Sequence, residues 1–242
     1  TGNSGPGGDI TLSAGLATTS SGGDVSLVSG FGVASSSGNL ALASANSGLT
    51  GMSGSITLQT GDATDVSGFV HVLTGAGDQG GGDIDLTVGA NTNGNGGDVT
   101  IHAGDVQTTG TFGGTVDVSG GHGSAAGSGG LAQLRGGDGG VTAGDVGGEA
   151  VVVGGTGTET GGAISLMSGK SLTTTSGSVT LQSANSAAAG VSGTVSLTTG
   201  TSAIGSSGSL LLGTGSSLDQ GAAGAIELSV GLAAAASALE GG

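Results

Sequence analysis

The sequence has no cysteine, tryptophan or tyrosine, three phenylalanines (Phe31, Phe69, Phe112), and two cations, Arg135 and Lys170, against 17 acidic residues. Each shortage excludes something. Without cysteine neither a disulfide nor a thiolate zinc site can form, and the redox compartment stays open. A formal charge of −15 cannot neutralise a phosphate backbone, which excludes nucleic-acid binding. The same shortage of cations leaves no basic amphipathic surface for an anionic membrane. No stretch approaches the roughly 18 consecutive apolar residues of a membrane helix. No charged-then-apolar leader is present, so a secretion signal is expected outside the given chain.

What is abundant is glycine, 60 of 242 residues. Glycine and serine at this level suggest a disordered tract unless a strict period is present, and one is. A glycine followed by x-apolar-x-apolar recurs at Gly8, Gly23, Gly38, Gly54, Gly68, Gly82, Gly97, Gly114, Gly130, Gly148, Gly162, Gly177, Gly193, Gly208 and Gly224. The period is about 15 residues, too short for a helix pair and suited to one coil of a β-solenoid.

Two residues after each anchor glycine comes a small aliphatic such as Val25, Ile84, Ile164 or Leu210. Four after it comes Leu27, Leu58, Leu166, Leu212 or an equivalent. This alternation predicts a strand with one buried face. Seven after it lies a second glycine, with Ala45 and Ala184 as the exceptions. Glycines at both ends of the strand permit the positive-φ corners that a tight coil needs. The expected fold is therefore all-β, a parallel β-solenoid (β-helix) of about fifteen coils; parallel crossovers favour the right hand, but short coils occur in both hands and the sequence does not fix the handedness. It is expected as a single domain over 1–242, with a lead-in at 1–7 and an Ala-rich cap at 232–242. Strands stacked about 4.8 Å apart would make a rod of roughly 70 Å. The central rungs Leu42, Leu58, Leu166 and Leu181 should be buried. Length changes fall nine to thirteen residues after the anchor, so one face should be flat and the opposite side irregular.

Few residues suggest chemistry. His71 and His102 stand two coils apart, about 10 Å, too far to share a metal, and with His122 they read as exposed surface. Asp9 with Asp24, and Asp83 with Asp98, occupy equal positions in adjacent coils. Calcium could bridge such carboxylates, but no calcium-roll repeat occurs, and hydrogen bonds to backbone amides are the expected role. Polysaccharide cleavage would want aromatic platforms and cations, which are scarce. No Lys follows the glycine loops in a phosphate-loop arrangement. The expectation is no enzyme, no cofactor and no metal.

Hydroxyls remain. On the outward strand face stand Thr11, Ser26, Thr57, Thr100, Ser165, Thr180, Ser196 and Thr198. In the variable segment stand Thr19, Thr50, Thr64, Thr158 and Thr173. β-propensity and turn propensity account for such residues, yet Lys and Glu, the usual solubilising choices, are nearly absent.

With its whole-length repeat, its Thr, Ser, Ala and Gly surface and its lack of a catalytic cluster, the chain resembles ice-binding (antifreeze) β-solenoids over residues 8–231. The resemblance implies a secreted, monomeric protein that adsorbs to the ice/water surface through a flat face of small and hydroxylated side chains. It implies the strand-face set as the leading ice-binding residues and the variable-segment set as the rival. The chain departs from regular insect-type members, which carry Thr-x-Thr in coil after coil. Here His71 pairs with Leu73, and Asp117 with Ser119. The alternative is a structural or adhesive repeat segment of an extracellular surface protein.

Overall fold

The computed structural model describes residues 7–124, 127–142, 144–187 and 190–231. The lead-in, apart from Gly7, and the 232–242 cap lie outside them. Two units are distinguished, Thr1–Val116 and Asp117–Gly242.

Among the described residues there is no helix and no strand. The β-solenoid expectation is therefore corrected. The apolar alternation is present, but successive repeats exchange no ladder of backbone hydrogen bonds. The physical reason lies in the composition. Glycine loses more backbone freedom on ordering than any other residue, and two small aliphatic side chains per repeat bury too little to offset it.

No residue among those described is buried. Leu42, Leu58, Leu166 and Leu181, expected in the core, are 66, 75, 78 and 69% exposed. The alternation still leaves a trace. The side chains two after the anchor, such as Val25, Ile84 and Ile164, are about half shielded, while Val28, Leu73 and Met167, five after it, are more exposed. Leu166→Ala should thus change stability by less than about 0.5 kcal/mol, as at a surface site, instead of the ~2–4 kcal/mol of a core truncation. Unchanged amide exchange at Gly177 in the variant would check this.

Each unit is a run of one local design. An extended segment leaves the anchor glycine, and the chain then bends ten to thirteen residues after it, as at 18–20 and 33–35 in the first unit and 172–174 and 203–205 in the second. Of the positive-φ glycines, Gly51, Gly110 (φ 80°) and Gly205 lie in these bends, Gly80 directly follows one, and Gly144 (φ 97°) lies in a turn fourteen residues after its anchor. No anchor glycine and no glycine seven after it is among them, which corrects the expected corner positions. The left-handed conformation is used where the chain reverses, not where the extended segment begins or ends.

Candidate functional site

The feature that defines every repeat is a closure between the end of one extended segment and the anchor of the next. The anchor glycine sits against the residue six places after the preceding anchor. A methyl group placed on Gly23 would lie 3.4 Å from the Ala14 Cβ, and one on Gly177 would lie 3.5 Å from the Ser168 Cβ. Ser29, Thr60, Ala103, Ser168 and Ser183, all at this sixth position, are among the few half-buried residues.

In some repeats the closure is sealed by a backbone hydrogen bond from the anchor N–H to the carbonyl seven after the preceding anchor. Gly23 donates to Gly15 (3.0 Å), Gly38 to Gly30 (2.8 Å), Gly114 to Gly104 (2.9 Å), Gly130 to Gly121 (2.8 Å), Gly148 to Gly137 (2.8 Å), Gly162 to Gly155 (2.8 Å) and Gly177 to Gly169 (2.9 Å). The residue before each acceptor is Ala14, Ser29, Ala103, Gly120, Gly136, Gly154 or Ser168. Where it is Thr60, Thr74, Val88, Thr199 or Thr214, no such bond forms. All five are β-branched. The Cγ2 of Thr60 lies 3.5 Å from a methyl placed on Gly68, and the Cγ1 of Val88 lies 2.9 Å from one on Gly97. In both repeats the branched carbon stands beside the anchor. The bond is also missing where Ala45 or Ala184 replaces the seventh-position glycine, which nothing in the structure explains sterically, since a methyl on Gly15 or Gly169 would meet nothing within 4 Å.

The tightest closures are all glycine. A methyl on Gly120, Gly136 or Gly154 would run into the carbonyl oxygen of Gly130, Gly148 or Gly162. The sequence reading singled out the second, fourth and seventh positions and missed the sixth. Its signal was available: no side chain there is larger than valine.

The bends carry most of the side-chain hydrogen bonds. Ser171 Oγ accepts from the Thr174 N–H (2.9 Å), Asn91 Nδ2 donates to the Asn95 carbonyl (3.0 Å), and Ser186 Oγ donates to the Gly190 carbonyl (2.9 Å). These local bonds are how serine and asparagine shape turns. At Asp145 the carboxylate accepts from the Thr142 hydroxyl (2.5 Å) and the Thr142 N–H (2.9 Å). The hydroxyl first, and the N–H second, hold the carboxyl below its ordinary value. A carboxylate pKa depressed by the folded bend means that the bend is stabilised above the ordinary carboxylate value. That stabilisation is lost as pH falls through the depressed value. Asp145→Asn should remove this acid-side transition from the Thr142 amide shift, followed by NMR against pH.

The residues singled out for chemistry do not converge. All of the strand-face set (Thr11, Ser26, Thr57, Thr100, Ser165, Thr180, Ser196, Thr198) is exposed, with no hydrogen-bonded ladder to hold it in a fixed lattice. Thr19, Thr50, Thr64, Thr158 and Thr173 are exposed and stand at the bends themselves. No hydroxyl of either set bonds to protein among the described residues. Asp9, Asp24, Asp83 and Asp98 are exposed, and among the described residues they show none of the expected bonds to backbone amides. The carboxylate of Asp85 instead accepts from the Thr87 hydroxyl (2.6 Å). Among the described residues no group of three or more acidic or histidine side chains could hold a metal ion.

His71 stacks on Phe69, with ring centroids 4.3 Å apart. His102 and His122 are exposed. Arg135 forms a forked ion pair with Asp138, at 2.6 and 2.7 Å. Its side chains are exposed, so the pair contributes at most about 1 kcal/mol. One concavity of about 330 Å³ is lined by Val118, Ala132, Gln133 and Leu134. Its walls come from the fourth position of one repeat and the second, third and fourth positions of the next. No described helix is long and apolar enough to cross a membrane.

No protein-family model, curated protein or solved structure is similar to this chain.

Proposed function

We propose that the chain is a structural repeat segment of an extracellular surface protein, a spacer whose span is set by the number of repeats. The observation that supports this reading is the recurrence of one close approach between anchor and sixth position from repeat to repeat, sealed by a backbone hydrogen bond in seven of them, with no group of acidic or histidine side chains among the described residues that could hold a metal. A repeat closed within itself adds length without depending on a shared core, and whole repeats can be gained or lost. The acidic charge, with almost no cations, keeps successive repeats from collapsing on one another.

The test uses the absence of native cysteine. Dye pairs on cysteines replacing the exposed Ser165 and Ser196, then Ser165 and Ser229, should show transfer efficiency falling as repeats intervene. Equal efficiency for both pairs would refute the spacer.

A second reading is favoured by one observation, the exposed, protein-unbonded hydroxyls of Thr19, Thr50, Thr64, Thr158 and Thr173 at recurring bends. In this reading the protein adsorbs to ice through the bend side. The strand-face alternative has lost the ladder that would hold its hydroxyls in register. Thermal hysteresis in the wild type, abolished by Thr158→Tyr with Thr173→Tyr, would support it. Wild-type protein without hysteresis or recrystallisation inhibition would end it.

A further inference from the structure

Asparagine and glycine alternate through one bend of the first unit. Residues 91–96 read Asn-Thr-Asn-Gly-Asn-Gly, and all of them are exposed. Asn91 spans this bend. Its Oδ1 accepts from the Asn93 N–H (3.3 Å), and its Nδ2 donates to the Asn95 carbonyl (3.0 Å). The Asn93 side-chain amide donates to the Thr92 hydroxyl (3.4 Å). Among the described residues the Asn95 side chain has no hydrogen-bond partner. Neither the Gly94 N–H nor the Gly96 N–H has an acceptor there.

This repeat is also one of those without a bond from the anchor to the seventh position, so the segment from Gly89 to Gly97 is not pinned at its ends. A methyl on Gly96 would meet nothing within 4 Å, whereas one on Gly94 would lie 3.0 Å from the Asn91 Nδ2. Asparagine amides are thermally labile, and their loss needs the next backbone nitrogen to reach Cγ. Glycine permits that approach because it carries no Cβ. Asn93 and Asn95 precede glycine, and every other asparagine precedes serine, threonine or leucine, whose side chains obstruct it.

We propose that Asn95–Gly96 is a self-modifying site, where the unbonded Asn95 side chain beside an open Gly96 closes to a succinimide and hydrolyses to aspartate and isoaspartate. The Gly96 nitrogen forms a bond to Asn95 Cγ, the Cγ–Nδ2 bond breaks, and the Gly96 proton leaves with that nitrogen as ammonia. Solvent water then opens the ring. Attack at Cγ gives aspartate. Attack at the former Asn95 carbonyl carbon routes the main chain through Cγ, giving isoaspartate and a chain one carbon longer. In that product the carbonyl held by Asn91 becomes a free carboxylate. Either product adds one negative charge. Asn93 follows more slowly, since its amide is bonded and Gly94 is flanked by Asn91. The chemistry is confined to one bend and stands whether or not the chain is a spacer.

The test incubates the isotope-labelled full chain in warm, mildly alkaline buffer and follows each asparagine side-chain amide by NMR. The Asn95 signal should vanish first, with ammonium and isoaspartate appearing, while the Asn91 and Asn185 signals persist. Gly96→Ala adds a methyl into open space, so the bend should be kept. It should slow the loss of the Asn95 signal by at least about tenfold. Loss at Asn95 no faster than at Asn91 would overturn the proposal. So would loss led by Asn93, or a Gly96→Ala chain that loses Asn95 as fast as the wild type.

Discussion

Gly154→Val should open its closure and release the amide of Gly162. Any Cβ at residue 154 runs into the Gly162 carbonyl oxygen, and the bond is missing where the sixth position is β-branched, as at Thr60 and Val88. The bond lost joins the Gly162 N–H to the Gly155 carbonyl at 2.8 Å. A net backbone hydrogen bond is worth about 0.5–1.5 kcal/mol, so exchange at Gly162 should accelerate by about two- to tenfold. Gly154→Ala should do less, because the repeat can relax to the geometry seen at Ala14 and Ala103. The rule also runs in reverse. Thr60→Ala should create a bond from Gly68 to Gly61, since Ala-Gly closes at Ala14–Gly15 and Ala103–Gly104. Slower exchange at Gly68 checks it. No change at either amide would mean that the sixth position does not control closure.

Much of this organisation was legible in the sequence. The anchors gave the repeat boundaries, and the length-variable segment coincides with the bends. The apolar alternation was also correctly located, because period two is a property of extended backbone whether or not a neighbour pairs with it. That is also why the solenoid expectation failed. Alternation at Ile164 and Leu166 reports which way side chains point, not whether another segment covers them. The glycines seven after the anchors were read as corners, but the chain turns at Gly110 and Gly144 instead. The sixth position went unread because smallness amid so much serine, alanine and glycine carries little contrast. The two hydroxyl sets are exposed, and the registry expected of the strand-face set depended on hydrogen-bonded strands.

The second large effect concerns unfolding. A globular protein of this length would absorb about 170 kcal/mol on melting, at about 0.7 kcal/mol per residue. With no buried residue among those described and closures local to each repeat, no such cooperative transition is expected. Calorimetry should show a sloping trace without a peak, and ellipticity should drift with temperature. A sharp endotherm of the globular size would mean that the aliphatic side chains are covered within one chain.

The central claim is that order in this chain resides in repeat-by-repeat closures and not in a ladder between repeats. Residue-resolved amide exchange on a dilute, low-salt sample tests it most directly. Protection should appear at the anchor amides of Gly23, Gly38, Gly114, Gly130, Gly148, Gly162 and Gly177, and the amides of 163–167 and 178–182 should exchange at the rate of an open chain. Slow exchange running through 163–167 and 178–182 in matching register would contradict the account.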